Sequence, residues 1–560
     1  MVRRMISLLV VFGLLLSVFV LPQRSATAAP TAATTAAAPT LLAEVNGPGR
    51  GRVWVGSIPA YSSTKPVLVF VHGLHGKAQG WWGPTEYYGT NDMYAKAYAS
   101  GYRTAFVSLD DEVDGPASSM WNNGNTLNRQ LDVILAYYGV SSVNIIAHSK
   151  GGVDTNSAIV HSGASAKIQK VVTLSSPHRG SQLADLAYSW WAGWLASLLG
   201  QRDDGTYTMQ TGYMNYFRSV TDGRPEYSNV RFYTSGGKDH GPWFSAMWFG
   251  GGYLPGDNDG VVTVSSSNHP QQYSRLFTGS SLNHDNIRKG SNVWSLIEPT
   301  VRTTFRSSTT AQVTNPQPVE VSAARKPKSE AAQVEPVSNL ILRGGLTSSA
   351  AKNLRLPVEG GVSAITFDFL ADSADLSVTF IDPSGVRYPA TQATADTDVF
   401  RGAFHYSAEI TAPASGAWSV ETRGPENVGY LLIASLSSPL TVTLSRGAAV
   451  VAPNSALNLS ISANTRGAAA TALAISGTLT GTPNANEKSS QLPTQVNLNA
   501  KGSNQATAKA TAPAASGLYQ IGLTVTGVAA DGTSFERSIA TNIPVVSPAK
   551  GNPNDLQPGR

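Results

Sequence analysis

The chain has 560 residues, 41% of them apolar and 14% charged, with no cysteine. A length well beyond one hydrophobic core predicts several domains, and the missing thiols exclude disulfide staples and cysteine-based metal or redox chemistry. The formal charge of +5 is small for this length, and Lys and Arg are interspersed with acids, which leaves nucleic-acid binding without support.

In chain order, Met1-Val2-Arg3-Arg4, an apolar run from Ile6 to Leu21 and the small residues Ala26-Thr27-Ala28 read as an export signal cleaved after Ala28, so an extracellular location is expected. The competing reading, a retained anchor, conflicts with a run short for a bilayer span. Residues 29–40 are an Ala/Thr/Pro-rich spacer. From residue 41 to 306, β-branched runs alternate with helical patterns, which predicts a mostly parallel sheet flanked by helices. The expected buried strands are Val67 to Val71, Thr104 to Leu109, Val143 to Ala147, Lys170 to Leu174 and Val230 to Thr234. Leu127, Leu131, Ile134, Leu135 and Tyr138 recur at helical spacing, and Gly139 stops that helix.

Residues 307–338 turn to Ser, Thr, Pro, Gln and mixed charge and read as a linker, from which the first domain should be separable. Beyond it the period becomes two: Leu376, Val378 and Phe380 alternate before Asp382-Pro383-Ser384-Gly385, and Trp418, Val420 and Thr422 alternate after Gly416. Thr411-Ala412-Pro413-Ala414-Ser415-Gly416-Ala417-Trp418 resembles Thr511-Ala512-Pro513-Ala514-Ala515-Ser516-Gly517-Leu518-Tyr519, which predicts two immunoglobulin-like β-sandwiches, 339–438 and 439–547. Residues 548–560 read as a polar tail.

The chemistry sits in the first domain. Ala147-His148-Ser149-Lys150-Gly151 follows an apolar strand, and small residues two positions either side of Ser149 permit the tight strand-to-helix turn that exposes a nucleophilic hydroxyl. A Ser-x-Gly alone is common; the strand before it and the turn His72-Gly73-Leu74-His75-Gly76 upstream make it specific. That turn, read blandly, only ends a strand; read functionally, the amides of Leu74 and Lys150 form an oxyanion hole.

Ser176-Pro177-His178-Arg179-Gly180-Ser181, followed by Leu183-Ala184-Asp185, resembles a segment of bacterial secreted lipases, members of the α/β-hydrolase superfamily. Asn258-Asp259-Gly260-Val261-Val262 and Asn283-His284 are similar to the sequences that carry the acid and the base in that family. The resemblance spans roughly residues 65–300 and implies an α/β-hydrolase fold with Ser149 as nucleophile, His284 as base and Asp259 as acid. Asp239, Asp257, His240 and His269 are rivals, and His178 precedes the required final strand and is expected to fix a loop. Asp257 to Gly260 also reads as a solvated turn or cation loop. The family further implies a structural calcium near the His loop, with Asp285 as ligand, although Lys289 stands where an oxygen ligand is expected; no cofactor is required.

Leu183 to Leu199 is apolar around most of a helix. It is either buried or an acyl-pocket wall or lid in which Trp190 and Trp194 meet substrate. The leading reading is a secreted serine carboxylic ester hydrolase, a lipase or esterase acting on lipid esters, with the sandwiches available to hold it on an insoluble surface. A polyester (polyhydroxyalkanoate) depolymerase, and an adhesion or carbohydrate-binding protein with an inactive hydrolase domain, remain open alternatives.

Overall fold

The computed structural model describes residues 36–560 apart from 61–63, 111–115, 193–202, 244, 306–332, 348–353, 392, 397–399, 401, 482–493, 548–555 and 557–560. Its first part is built on an eight-stranded sheet: β1 (Thr40–Glu44), β2 (Arg52–Val55), β3 (Leu68–Val71), β4 (Thr104–Val107), β5 (Val143–His148), β6 (Ile168–Leu174), β7 (Arg231–Gly237) and β8 (Gln272–Gly279), in the order β1-β2-β4-β3-β5-β6-β7-β8. From β4 to β8 every neighbouring pair is parallel, whereas β1 and β2 add an antiparallel edge.

Strands β3 to β6 are buried at every residue because helices cover both faces, so they read in the sequence as unbroken apolar runs. Alternate side chains serve opposite layers. Val69, Ala105, Ile145 and Val171 pack against Leu127, Leu131, Ile134 and Ile159 on one face, while Leu68, Phe106, Ile146 and Val172 meet Met93, Val293 and Ile297 on the other. The helices are α1 (Met93–Ala99), α2 (Met120–Tyr138), α3 (Lys150–His161), α4 (Gln182–Ala187), α5 (Asp204–Thr208), α6 (Thr211–Thr221), α7 (Ala246–Tyr253) and α8 (Gly290–Val301).

The helix expected over Leu127 to Tyr138 starts a turn and more earlier, at Met120. Ser119 caps it by accepting from the Asn122 amide at 3.3 Å, and Gly139 ends it in the left-handed region at φ 62°. Its first turns hold Asn122, Asn123, Gly124 and Asn125, poor helix formers. Packing overrides that preference: a Cβ on Gly124 would come within 2.9 Å of the α3 backbone, so only glycine lets α2 lie against α3.

Beyond residue 332 the described strands pair antiparallel. The first module pairs a five-stranded with a four-stranded sheet around Phe367, Phe380, Trp418 and Leu432, and the second pairs two five-stranded sheets around Leu459, Tyr519, Leu523 and Ile543. The sequence repeat has a structural meaning: the Trp418 indole donates to the Ala414 carbonyl at 2.8 Å and the Tyr519 hydroxyl to the Ala515 carbonyl at 2.9 Å, the same four-residue step in each module.

Three expectations about the modules need correction. The end of the expected linker, Gln333–Val337, is a strand that pairs with Leu440–Arg446 of the second module; its Pro336 is tolerated because the strand lies at a sheet edge. In the expected polar tail, Leu556 is buried against Met214 and Phe217, and its carbonyl accepts from Tyr213 at 2.8 Å. The α/β part is not separate from the modules either, since residues 36–560 form one unit. Leu183, Leu186, Trp191, Tyr253 and Leu254 pack on Leu342, Leu370, Phe400, Leu431 and Ile433 of the first module, and each such Leu is worth about 2 kcal/mol of burial. The second module adds a polar clasp: Asn542 donates to Asp185 at 2.6 Å and accepts from the Gly212 amide at 2.6 Å. Composition signals a linker but not the faces that pack across it.

Candidate active site

Strand β5 delivers Ser149 into a turn with φ 52° and ψ −135°, a conformation unfavourable for a residue with a Cβ. It persists because the strand before and the helix after are both locked in the core. The turn also needs Gly151, whose Cβ would meet the His72 carbonyl oxygen at 2.2 Å. The Lys150 amide lies in the first turn of α3, where N–H groups point out of the helix end beside Ser149. The Lys150 ammonium is turned inward and buried, bonded to Asp154 at 2.8 Å.

His284, in the loop after β8, places Nε2 2.9 Å from Ser149 Oγ and Nδ1 2.9 Å from Asp259 Oδ2. Asp259 is buried on the loop after α7. Its Oδ1 accepts from the Val261 amide at 3.0 Å and the Val262 amide at 2.7 Å, and its own carbonyl accepts from the His284 amide at 3.0 Å. Asp259 and His284 thus share a backbone tie as well as a side-chain bond. The other partners of the Asp259 carboxylate are the Val261 and Val262 amide donors, so it faces His284 as an acceptor and leaves Nδ1 to carry the proton.

The rivals are engaged elsewhere. Asp257 is exposed and paired with Lys238 at 2.6 Å; Asp239 accepts from Asn283 at 3.0 Å. His269 is buried, stacked on Phe232 at 4.2 Å and 3.0 Å from Asn156 Oδ1. His178 sits edge-on to His269 and 3.2 Å from Thr173 Oγ1. Burial first, then neighbouring positive groups, pushes the pKa of both imidazoles well below the ordinary value, so both are neutral packing groups. His240 lies against Gly251 of α7, and burial lowers it too.

Asp285 does not fit a calcium site. One oxygen receives the Arg288 guanidinium at 2.7 Å and the other the Tyr87 amide at 2.9 Å, while Lys289 donates to the Tyr88 carbonyl. Its neighbours are cations and N–H donors rather than further oxygen ligands. Among the described residues no three His, Cys, Asp or Glu side chains gather as a metal site.

Leu74 lies in the turn after β3, beside Ser149: a Cβ on Gly73 would meet Ser149 Cβ at 2.7 Å. His72 braces this turn, because its Nε2 accepts from the Leu109 amide at 2.9 Å and its Nδ1 must therefore donate to the Gly73 carbonyl at 2.7 Å. A cavity of about 300 Å³ opens over Ser149 and His284, with Leu74, Trp81, Pro84 and Met247 among its apolar walls. A larger one, about 580 Å³, lies at the seam with the modules, lined by Asp185, Tyr253, Leu340 and Thr541, and holds none of the three bonded residues. Ser149 and His284 therefore open on the smaller cavity.

Of the expected substrate-binding residues, Trp194 and the side chain of Trp190 lie outside the described residues. The described part of that apolar segment, α4 and the short turn Trp190–Ala192, is covered by the first module, and Trp191 is 2% exposed. Two site features escaped the sequence reading. Met247 of α7 reaches the cavity from a Gly-rich stretch without a helical stripe, and His148 turns its Nε2 to the His284 carbonyl at 2.8 Å. Burial, then the neighbouring His284, holds the His148 pKa well below the ordinary value, so this ring is neutral and braces the His284 loop. The only signal for His148 was its place beside Ser149.

Residues 62–189 match the family described as PGAP1-like alpha/beta domain. The chain is 32% identical over 139 residues to triacylglycerol lipase 2 of Saccharomyces cerevisiae, a match covering 22% of this chain and 40% of that protein. It is also 32% identical over 125 residues to a triacylglycerol lipase of Pseudarthrobacter phenanthrenivorans, covering 22% and 37%. The chain thus spans two fifths or less of the length of these curated relatives. Among solved structures, the Bacillus licheniformis lipase BlEst2 in propeptide form superposes with a TM-score of 0.68 at 28% identity, over 90% of this chain and 98% of that one.

Proposed function

We propose that this chain, which resembles lipases of the α/β-hydrolase type, is an exported serine ester hydrolase that cleaves lipid esters through an acyl-enzyme on Ser149. The observation that carries this reading is the continuous relay Ser149 Oγ, His284, Asp259 Oδ2, with both bonds at 2.9 Å. Ser149 Oγ attacks the ester carbonyl while His284 Nε2 takes its proton, and Asp259 stabilises the imidazolium that forms. The amides of Leu74 and Lys150 receive the charge that develops on the carbonyl oxygen. His284 then gives its proton to the departing alcohol, and water, deprotonated by the same nitrogen, releases the acid.

The test is hydrolysis of p-nitrophenyl esters of graded chain length beside emulsified triacylglycerol and polyhydroxybutyrate films, together with fluorophosphonate labelling located by mass spectrometry. Label on Ser149 and turnover of triacylglycerol are the expected results. Turnover of the polyester film alone would make it a depolymerase, and no turnover with no label would leave a binding protein. The similarity to a lipase solved in propeptide form also favours a second reading, in which the C-terminal modules are a removable part of a precursor. The described lining of the cavity over Ser149 contains hydrolase residues alone, consistent with a site that outlasts their removal. The mass of the mature exported product tests it.

A further inference from the structure

We propose that His75 and Asp203 are a positioning pair for the oxyanion hole, holding the Leu74 amide where the oxygen of the tetrahedral intermediate forms. The proposal rests on the ester-hydrolase reading. Leu74 follows Gly73 and stands two residues before Gly76, in a turn closed by the Gly76 amide donating to the Gly73 carbonyl at 3.1 Å. Side chains supply the rest of its stiffness. His72 braces the strand side through Leu109 and Gly73. The far side falls to His75, which has φ 50°, a conformation that costs a residue with a Cβ about 1 kcal/mol or more and persists only where its surroundings impose it.

What imposes it is Asp203, 128 residues away in sequence, whose Oδ2 lies 2.7 Å from His75 Nε2. The carboxylate is itself immobile. It caps α5 by accepting from the Thr206 amide at 2.7 Å, accepts from the Ala117 amide at 2.9 Å, and its side chain is 1% exposed. Burial alone would raise its pKa, but the bonds from His75 and from the two amides outweigh burial and hold it below the ordinary value, so it is ionised at neutral pH. The first turn of the same helix lies against the donor residue: a Cβ on Gly205 would meet Leu74 Cδ1 at 2.9 Å. The α5 end therefore touches the oxyanion turn twice, by a charge-assisted bond to His75 and by contact with Leu74. A residue that only stabilised the fold would not need to sit in the lining of the cavity over Ser149, as His75 does.

The experiment compares His75→Ala, His75→Phe and His75→Gln in the full chain, with Ser149→Ala as control. It measures kcat and KM for p-nitrophenyl acetate, inhibition by phenylboronic acid, which forms a tetrahedral adduct on a reactive serine, and Tm. His75→Ala should lower kcat about ten- to a hundredfold, less than deleting an oxyanion donor outright, with KM within about twofold. The boronate inhibition constant should rise by the same factor as kcat falls. His75→Gln, which restores a donor to Asp203, should recover most of both, whereas His75→Phe, which keeps the ring volume without the bond, should not; that contrast carries the test should His75→Ala fail to fold. A kcat within threefold of the parent, a fall in kcat with boronate inhibition unchanged, or a His75→Gln variant no better than His75→Phe would each overturn the proposal. A Ser149→Ala protein that kept its activity would remove the underlying reading and the proposal together; an inactive one beside an unimpaired His75→Ala would remove the proposal alone.

Discussion

Asp259→Asn separates the tautomer role of this residue from its structural one. The asparagine oxygen can stay on the Val261 and Val262 amides, at 3.0 and 2.7 Å in the parent, only if its NH2 replaces Oδ2 and faces His284. The flipped alternative leaves two buried amides opposed by a donor, at about 1–3 kcal/mol each, so the first orientation prevails. In it the NH2 donates to Nδ1 and the imidazole proton moves to Nε2, 2.9 Å from Ser149 Oγ, where it blocks proton transfer. The same exchange in a serine protease costs on the order of 10⁴ in kcat, or about 5.5 kcal/mol of transition-state stabilisation. The assay is kcat for p-nitrophenyl acetate at pH 7 to 8 with Tm recorded alongside. A loss below about tenfold with Tm unchanged would refute the reasoning. Asp239→Asn and Asp257→Asn should stay within about threefold of the parent, since neither faces His284.

Ser149→Ala should lose on the order of a million-fold in turnover and retain its Tm; measurable wild-type-like hydrolysis would discard the nucleophile. Truncation within residues 307–332 should yield a protein that binds a hydrophobic dye and melts below the full chain, because it bares Leu183, Leu186, Trp191, Tyr253 and Leu254; an unchanged Tm without dye binding would show that those residues re-cover themselves. Folding stability should fall as pH rises through the Asp185 titration. Burial pushes the Asp185 carboxyl up to about 6 despite bonds from Thr211 and Asn542 and the nearby Arg446 guanidinium, so its contribution to folding is complete below the ordinary value of 3.8, fades as pH rises through about 6, and is on the order of 3 kcal/mol in all. The Tm difference between pH 5 and pH 8 should therefore be larger in the parent than in Asp185→Asn, and a variant with the same pH dependence as the parent would refute the assignment.

The parallel sheet was legible because strands buried on both faces must be continuously apolar, and Val67 to Val71 and Val143 to Ala147 lie within a residue of β3 and β5. Ser149, Asp259 and His284, which the structure joins by two hydrogen bonds, stood out in the sequence because their neighbours are constrained: a tight strand-to-helix turn requires small flanking residues, and the other two sit in short recognisable turns. Sequence alone, however, left Asp239 and Asp257 beside Asp259 as candidate acids, and only the loop geometry directed one carboxylate at His284. The partnership of His75 with Asp203 was invisible, since 128 residues separate them and neither stands in a motif that requires the other. The same holds for the modules. Period-two patterning marks strands and the repeat marks two units, but the outer faces that meet Leu186 and Trp191 read as ordinary sheet surface. Local pattern reports which side of an element is buried; what buries it depends on how distant segments come together, and that was decided by the tertiary structure alone.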